Sequence, residues 1–309
     1  MVMKQIKFLS FFTFLSLFCS AQLPGSNMQQ SSVMDGFYIQ EHLPTKRVVP
    51  YIHMRQADVM WAKRVWRVLD VREKMNHKLF YPIEPTSDRI SLFDVIKQAV
   101  LVEKELTIYD LGVTNDDKFR NPVKSKTGNV SDPDFVKQLN GFFNTYKKED
   151  SLDSNDDPVY DPATNKPYQV DVATPYTSAD IIRYEIKEDW FFDKQRSVMD
   201  VRIIGIAPVV YAKNIISGEI EGIKRLFWVY FPDCRYIFQR YSVFNPQNDA
   251  QKMSFNDLFM KREFSSYISK ESNMFDRTIS PSWTGLNALL ESERIKQEMF
   301  EKEHDLWHY

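Results

Sequence analysis

Residues 35–101 read DGFYIQEHLPTKRVVPYIHMRQADVMWAKRVWRVLDVREKMNHKLFYPIEPTSDRISLFDVIKQAVL. This stretch holds two of the six Trp residues and the longest amphipathic helix pattern in the chain. Between Gln56 and Met75, charged side chains recur at i, i+4, i+7 and i+11, and apolar side chains occupy the other side. We therefore predict a helix over 56–75. Its polar stripe consists of Lys63, Arg67, Asp70 and Lys74, and its apolar side of Trp61, Val65, Val68 and Leu69.

A second helix is predicted to begin after Ser91, where the sequence reads SLFD. A Ser hydroxyl at the cap position can accept the free backbone N–H three residues later, and Asp94 suits the positive end of the helix dipole. Phe93, Ile96 and Val100 then form the apolar face of this helix. The cap and the face together predict a short helix packed on a core.

The rest of the chain mixes strand and helix patterns, so we predict an α+β fold with short antiparallel strands and capped amphipathic helices. Apolar runs predict strands over 106–111, 198–212 and 226–231, with the last two paired. Over 181–192 we expect a short helix leading into an extended run. Further helices are expected from Asp132–Pro133, from Ser254 to about residue 270, and from about Thr284.

A possible internal repeat divides the chain into two mixed halves. Trp66 precedes a Ser-x-x-Asp cap at Ser91 by 25 residues, and Trp228 precedes another at Ser254 by 26. The halves would span 35–146 and 178–282, joined by a polar linker over 147–177 and followed by a C-terminal helix over 283–309. Coincidence between two common local signals is the alternative.

The first 21 residues have the pattern of a secretory signal peptide. Lys4 and Lys7 precede an apolar run of ~11 residues, too short to span a bilayer, and Cys19-Ser20-Ala21 supplies small residues for cleavage. A lipoprotein signal with Cys19 as the lipidated residue is the alternative, although Phe18 is bulky for that site. A flexible leader is expected over 22–34, and export predicts a periplasmic location.

Charge and cysteine content exclude some classes of protein. Without 1–21 the chain would have 288 residues, and the loss of Lys4 and Lys7 would leave 38 basic residues against 42 acidic ones, a formal charge of −4. Such a balance argues against nucleic acid as a partner. Cys234 would be the single remaining cysteine, so the fold must depend on its core and not on an internal disulfide.

The sequence contains no recognisable catalytic or cofactor motif. His304 and His308 have the i, i+4 spacing of metal ligands, but they lie at the chain end, where a solvated helix terminus is the better interpretation. The run from Asp153 to Asp157 resembles the start of a calcium loop, but Pro158 replaces the required Gly. Cys234 is better read as core filler than as a nucleophile.

Partner binding is the function that the opening segment favours. The arm before Gln56 is extended, charged and aromatic, and it adds no obvious core. We therefore expect it to bind a partner protein through some of its aromatic and basic side chains. The candidate partner-binding residues are Tyr38, His42, Lys46, Arg47, Tyr51 and Arg55.

Three strings resemble the GldN/PorN family of the gliding and type IX secretion machinery. They are DGFYIQEHLPTKRVVPY; DVMWAKRVWRVLDVREKMNHKLFYP with SLFDVI; and KEDWFFDKQRSVMDVRIIGIAPV, and the resemblance extends from Asp35 to about Ser269. It implies a non-enzymatic subunit of a periplasmic ring, without cofactor or metal and without a membrane span of its own. The implied partners are a GldK/PorK-type outer-membrane lipoprotein, the periplasmic part of a GldM/PorM-type motor protein, and further copies of the chain itself.

Two other classes of function stay open at this point. One is an exported hydrolase or metal enzyme with an unrecognised site. The other is a periplasmic glycan-binding module that uses exposed aromatic rings.

Overall fold

The structure is a computed structural model that describes residues 47–86, 89–112, 117–151, 167–214, 218–245, 248 and 253–305. The expected signal peptide over 1–21 and leader over 22–34 therefore lie outside the described residues, as do Tyr38, His42 and Lys46. The middle of the predicted linker, 152–166, and the end of the last helix, 306–309, also lie outside them.

All strand pairs of the main sheet are antiparallel. Two further pairs of strands form separate two-stranded sheets. In chain order the strands are β1 (Val59–Asp70), β2 (Ile108–Asp110), β3 (Asn121–Pro122), β4 (Asn144–Asp150), β5 (Gln169–Pro175), β6 (Ile181–Asp193), β7 (Val198–Lys213), β8 (Ile220–Arg225), β9 (Trp228–Tyr230), β10 (Ser242–Val243), β11 (Met253–Ser254) and β12 (Tyr267–Glu271). The main sheet has the order β12-β1-β6-β7-β9-β2-β3, with β8 also paired to β7, while β4 pairs with β5 and β10 with β11.

The described residues also form six α-helices and three short 3-10 helices. The α-helices are α1 (His77–Phe80), α2 (Leu92–Leu101), α3 (Pro133–Phe143), α4 (Phe231–Phe238), α5 (Phe255–Met260) and α6 (Leu286–Asp305). The α+β prediction is confirmed. The predicted caps are also present, because the hydroxyls of Ser91 and Ser254 accept the backbone N–H of Asp94 and Asp257, and the Asp132 side chain caps α3.

The two faces of the main sheet have different surroundings. Leu69 of β1 and Ile186 of β6 face one side, where they join the main core with residues of helices α1 to α5. On the other side, Trp66 and Trp228 belong to a small separate cluster with Leu111 and Ala207. One face is therefore covered by helices, and the other is left partly open.

The predicted helix over 56–75 is wrong, because Val59–Asp70 forms strand β1. This strand lies between β6 and β12 and pairs with both, from Val59 opposite Asp193 to Asp70 opposite Arg183 on the β6 side. Both of its faces carry buried apolar residues, so the apolar positions do not alternate and they imitate a helical stripe. Arg67, assigned to the polar stripe, is in fact buried on the Leu69 side.

Two further segments also differ from the prediction. Ile181–Asp193 is one continuous strand after a single 3-10 turn, without the expected helix. The helix from Ser254 ends at Met260, and 267–271 forms the edge strand β12. Both segments are strands because each pairs along β1, a long-range contact that local sequence does not reveal.

The two ends of the predicted linker over 147–177 belong to strands that pair with each other. Strand β4 pairs with β5 through seven residues on each side, from Asn144 opposite Pro175 to Asp150 opposite Gln169. The Tyr176 N–H donates to the Phe143 carbonyl at 2.7 Å and closes the base of this ribbon. The segments 35–146 and 178–282, predicted as two halves, contribute strands to the same sheet, and the described residues belong to one compact unit over 44–309.

A buried carboxylate links β1, β6 and the segment after α5. Glu188 is fully buried; it accepts from Arg67 Nε at 3.1 Å and Trp190 Nε1 at 3.1 Å, and it pairs with Arg262 Nη1 at 2.9 Å. Two guanidiniums and one indole thus compensate for the loss of water around this charge. On the opposite face, Asp189 pairs with Arg64 where both side chains are partly exposed.

Glu188→Gln should lower the free energy of unfolding by about 3–5 kcal/mol, because it leaves buried Arg67 and partly buried Arg262 without their counter-charge. The neighbouring change Asp189→Asn should cost about 1 kcal/mol or less, since solvent screens that pair. Urea denaturation of both variants measures the difference. Equal losses in the two variants would contradict the structural role given to Glu188.

Gly205 of β7 lies where the sheet face meets Phe119 and Trp228. A Cβ at this position would overlap Cζ of Phe119 and come within 3.2 Å of Cε3 of Trp228. Gly205→Ala should therefore destabilise the fold by about 1–3 kcal/mol. Gly222→Ala in β8, where a Cβ would meet nothing within 4 Å, is the matched control and should change stability by about 0.5 kcal/mol at most.

A second substitution separates overlap from a backbone effect at Gly205. Adding Phe119→Leu to Gly205→Ala should cost less than the sum of the two single changes, because the shorter side chain leaves room for the new methyl group. Thermal unfolding of the four proteins measures this coupling. Strict additivity would exclude the overlap with Phe119 as the cause.

Candidate interaction site

The described part of the predicted arm, 47–55, lies extended against the body of the protein. Tyr51 is half-buried, with the guanidinium of Arg235 4.2 Å and that of Arg202 5.1 Å from its ring centre. Both guanidiniums also donate to arm carbonyls, Arg235 to that of Val49 and Arg202 to that of Ile52. Burial raises the pKa of the Tyr51 hydroxyl. Tyr51 therefore anchors the arm within the chain.

Arg47 and Arg55 are both exposed on either side of this anchor. They are accessible to a partner, and their assignment as partner-binding residues remains a prediction. Of the six candidate residues, the structure thus describes three and ties one of them to the chain's own body.

A deep cleft lies on the open face of the main sheet. Its volume is about 950 Å³, and it is lined by side chains from β1, β6, β8, β9 and β12, by residues 117–118, and by the segment from Asp276 to Leu289. Because alternate residues of a strand face the same side, the charged side chains at 183, 185 and 187 of β6 all line it.

Lys187 lies at the floor of the cleft and is only 2% exposed. Its Nζ donates to the Asp117 carbonyl at 2.7 Å and lies 5.7 Å from the centre of the Trp66 ring and 5.3 Å from that of Phe119. The Asp117 carboxylate lies 3.5 Å from Nζ and also accepts Trp66 Nε1 at 2.5 Å. Burial lowers the pKa of Lys187, and Asp117 opposes that change.

Two guanidiniums share one carboxylate on the neighbouring wall. Arg183 donates to one oxygen of Glu185 at 3.1 Å, and Arg225 Nε donates to the other at 2.8 Å. Arg225 also lies over the ring of Trp228, 5.4 Å from its centre. Among the described residues, the Trp228 indole N–H and the Arg183 Nε–H are buried without a hydrogen-bond partner.

Basic residues outnumber acidic ones in the described lining of the cleft. Its lining has six basic residues, Arg64, Lys118, Arg183, Lys187, Arg225 and Lys270, against three acidic ones, Asp117, Glu185 and Asp276. Asp189 pairs with Arg64 from just outside the lining. The rims are apolar, since Ile223 and Leu289 line the cleft and are 51% and 53% exposed. This arrangement suits an anionic ligand with aliphatic groups.

The chemical candidates from the sequence lie elsewhere. Cys234 is fully buried and donates to the Tyr230 carbonyl at 3.2 Å, and burial raises the pKa of its thiol, as expected of core filler. His304 is exposed near the end of α6, and His308 and the run from Asp153 to Asp157 lie outside the described residues. Within the described ranges, no group of His, Cys, Asp or Glu is placed to hold a metal ion, and no helix could span a membrane.

Sequence reasoning missed the cleft because the five strands that line it are spread along the chain from residue 59 to residue 271. One local signal was available. Residues 183–189 read RYEIKED, in which charged side chains occupy every second position. Such alternation is typical of a strand with one polar face, and it indicates a charged surface once the helix interpretation is abandoned.

Lys187 gives the protein a measurable dependence of stability on pH. Its pKa in the folded protein lies below the ordinary value of 10.5, so the charged form costs free energy in the fold, and this cost disappears as pH rises from the folded pKa toward 10.5. The unfolding free energy of the native chain relative to Lys187→Met should therefore increase over that window. Urea denaturation at a series of pH values measures it, with Lys126→Met as a control for the loss of one exposed charge. A constant difference would contradict the prediction.

Comparison with known proteins identifies the family. No curated protein matches the chain. The family model described as "Gliding motility associated protein GldN" matches residues 54–308, from the end of the arm through the main sheet and α6. The resemblance inferred from the sequence is thereby confirmed, and the chain belongs to the GldN family of gliding motility associated proteins.

Proposed function

We propose that this protein is a non-enzymatic structural subunit of a periplasmic ring in the type IX secretion and gliding machinery. In this proposal it binds a GldK/PorK-type outer-membrane lipoprotein, the periplasmic part of a GldM/PorM-type motor protein, and neighbouring copies of itself. The observation that carries the proposal is the family match over residues 54–308. The exposed surfaces described below support it.

The β4–β5 ribbon is one surface suited to assembly. Among the described residues it pairs with no strand of the main sheet, and its apolar side chains are exposed, including Val170 at 52% and Val172 at 39%. A two-stranded ribbon is marginally stable in water by itself. Packing against a neighbouring subunit would bury these side chains and stabilise the ribbon.

The C-terminal helix α6 offers a second apolar surface. Its inner side, with Ile295 and Met299, packs on the core beside β12. Leu286 and Leu290 near its start are 71% and 59% exposed, and Trp283 just before it is 48% exposed. Large exposed apolar groups at one end of a helix are typical of protein interaction sites.

The proposal is tested by isolating the protein gently from cell envelopes and determining the mass and composition of its complexes. We expect particles far larger than the 36.5 kDa chain that contain a lipoprotein partner. A protein that runs as a free monomer after cross-linking of the envelope would contradict it. Stoichiometric metal would favour the hydrolase alternative, and capture by peptidoglycan sacculi without a protein partner would favour the glycan-binding alternative.

A variant of the ribbon links this test to the structure. Val170→Lys combined with Val172→Lys should keep the melting temperature within a few degrees, because both side chains are already exposed, and should remove the protein from the large particles. Val130→Lys, also at an exposed valine, is the matched control and should leave assembly intact. Normal assembly of the ribbon variant would exclude the ribbon as an interface.

A further inference from the structure

An apolar hollow lies where the main sheet ends at β3. It has a volume of about 290 Å³ and is lined by residues of α2, β2 and α3 and by the segments beside them. Its most buried lining residues are all apolar and at most 6% exposed: Val100, Leu106, Ile108, Val123 and Leu139. An apolar cavity of about 150 Å³ already holds a group the size of benzene. The hollow therefore has room for two aliphatic side chains.

Lysine side chains flank the mouth of the hollow. Lys104, Lys124 and Val130 are exposed lining residues, and the described lining includes no Asp or Glu. The Lys104 Nζ donates to the Val130 carbonyl, an uncharged partner, at 3.1 Å. Asp132, close by in the chain, caps α3 by accepting the Asp134 N–H at 3.3 Å. The hollow thus suits aliphatic groups that have a carboxylate beside them.

The outer side of α6 presents such groups. Ile295 and Met299 mark the buried side of this helix, which packs beside β12. Leu286, Leu290 and Glu293 follow one another at i, i+4 and i+7 and lie on the opposite side. All three are exposed, the two leucines by 71% and 59%. We call these three residues the Leu-Leu-Glu stripe.

Glu293 can exchange its present ion pair for another at little cost. Its carboxylate lies 3.1 Å from the Lys296 Nζ, but the two side chains are 68% and 58% exposed, so solvent screens the pair. The helix as a whole is acidic, with six Asp or Glu against three Lys or Arg over 286–305. The helix and the lysines at the mouth of the hollow are therefore complementary in charge.

The stripe and the hollow lie at opposite edges of the main sheet. Helix α6 packs beside β12, the first strand of the order β12-β1-β6-β7-β9-β2-β3, while the hollow lies beside the last two strands. Six inter-strand spacings of ~4.8 Å place these edges roughly 29 Å apart. The stripe of one molecule therefore cannot enter its own hollow, and a contact between them requires a second copy.

We propose that the Leu-Leu-Glu stripe of one molecule docks in the apolar hollow of the next copy of the chain. Leu286 and Leu290 enter the hollow, and Glu293 pairs with Lys104 and Lys124 at its mouth. Because two different surfaces meet, the contact is heterologous, the type that builds a closed ring when the rotation between subunits closes. The inference rests on the proposed ring function and names the surfaces by which neighbouring copies meet.

Directed cross-linking in cell envelopes tests which surfaces meet. Two differently tagged chains are produced together, one with Gln297→Cys at the next turn after the stripe and one with Lys126→Cys beside the mouth. Both also carry Cys19→Ser, and Cys234 is fully buried, so a short bismaleimide reacts at the added thiols. We expect a dimer that carries both tags. Lys224→Cys on β8, also at an exposed lysine, replaces Lys126→Cys in the matched control and should give no such dimer.

Substitutions on each surface test the chemistry of the contact. Leu290→Glu should lower the fraction of the chain in large envelope particles about fivefold or more, because it places a charge in the apolar hollow. Ile220→Glu on β8 is the matched control, since both native side chains are 59% exposed, and should leave that fraction unchanged. At the mouth, Val130→Glu should weaken assembly through repulsion from Glu293, whereas Val130→Lys keeps the mouth positive and should not.

An exchange of charges tests the ion pair. Glu293→Lys alone and Lys124→Glu alone should each weaken assembly about threefold or more. The chain with both changes has opposite charges again in every contact and should recover most of the assembly. Glu293→Lys combined with Lys224→Glu should recover none. Melting temperatures of these variants should stay within a few degrees of the native chain, because the changed side chains are exposed.

The outcomes separate this inference from the proposed function. Large particles that contain the lipoprotein but give no dimer with both tags would overturn the inference and leave the ring function standing. A dimer between two Gln297→Cys chains alone would also overturn it, since like surfaces would then meet. Loss of the lipoprotein, and not of neighbouring copies, in the Leu290→Glu variant would assign the stripe to that partner instead. A dimer with both tags in envelopes that contain no large particles would support the contact and refute the ring function.

Discussion

The pairing of β1 with β6 is the constraint on which the rest of the structure depends. It joins residues more than a hundred positions apart, with Trp66 opposite Lys187 and Arg67 opposite Ile186. The alternation along these two strands decides which side chains enter the helix-covered core and which line the open cleft. Strand β12 pairs with the other edge of β1, and β7 with the other edge of β6. A shift of the β1–β6 register by one residue would therefore move the core side chains to the open face and the cleft side chains to the core.

The sequence predicted the features that are encoded locally. The Ser91 and Ser254 caps, the start of α3 at Asp132 and the buried strand β7 all follow from a few neighbouring residues. Strand β1 could not be predicted in this way. Its polar residues are compensated across strands, Arg67 by Glu188 and Lys63 by Glu271, so their spacing along the chain carries no information about the face they occupy.

The candidate site was predictable only in part, for the same reason. The family followed from long strings of residues, whereas the role of Tyr51 depends on Arg202 and Arg235, which approach it from β7 and α4. The open-face cleft forms only when β1, β6, β8, β9 and β12 come together in the folded sheet. From the sequence, only the alternating charges of residues 183–189 could be recognised. They indicate a charged sheet face once that segment is known to be a strand.

The two parts of the apparent repeat place corresponding residues on the same two faces of the sheet. Trp66 and Trp228 belong to the same cluster beside the cleft, while the helices after Ser91 and Ser254 both enter the core on the other side. Each unit of the pattern therefore supplies one Trp to the open face and one capped helix to the covered face. Because helices already bury one face of the sheet, the other face can carry charged groups such as Lys187 and Arg225, although their partial burial lowers the stability of the fold.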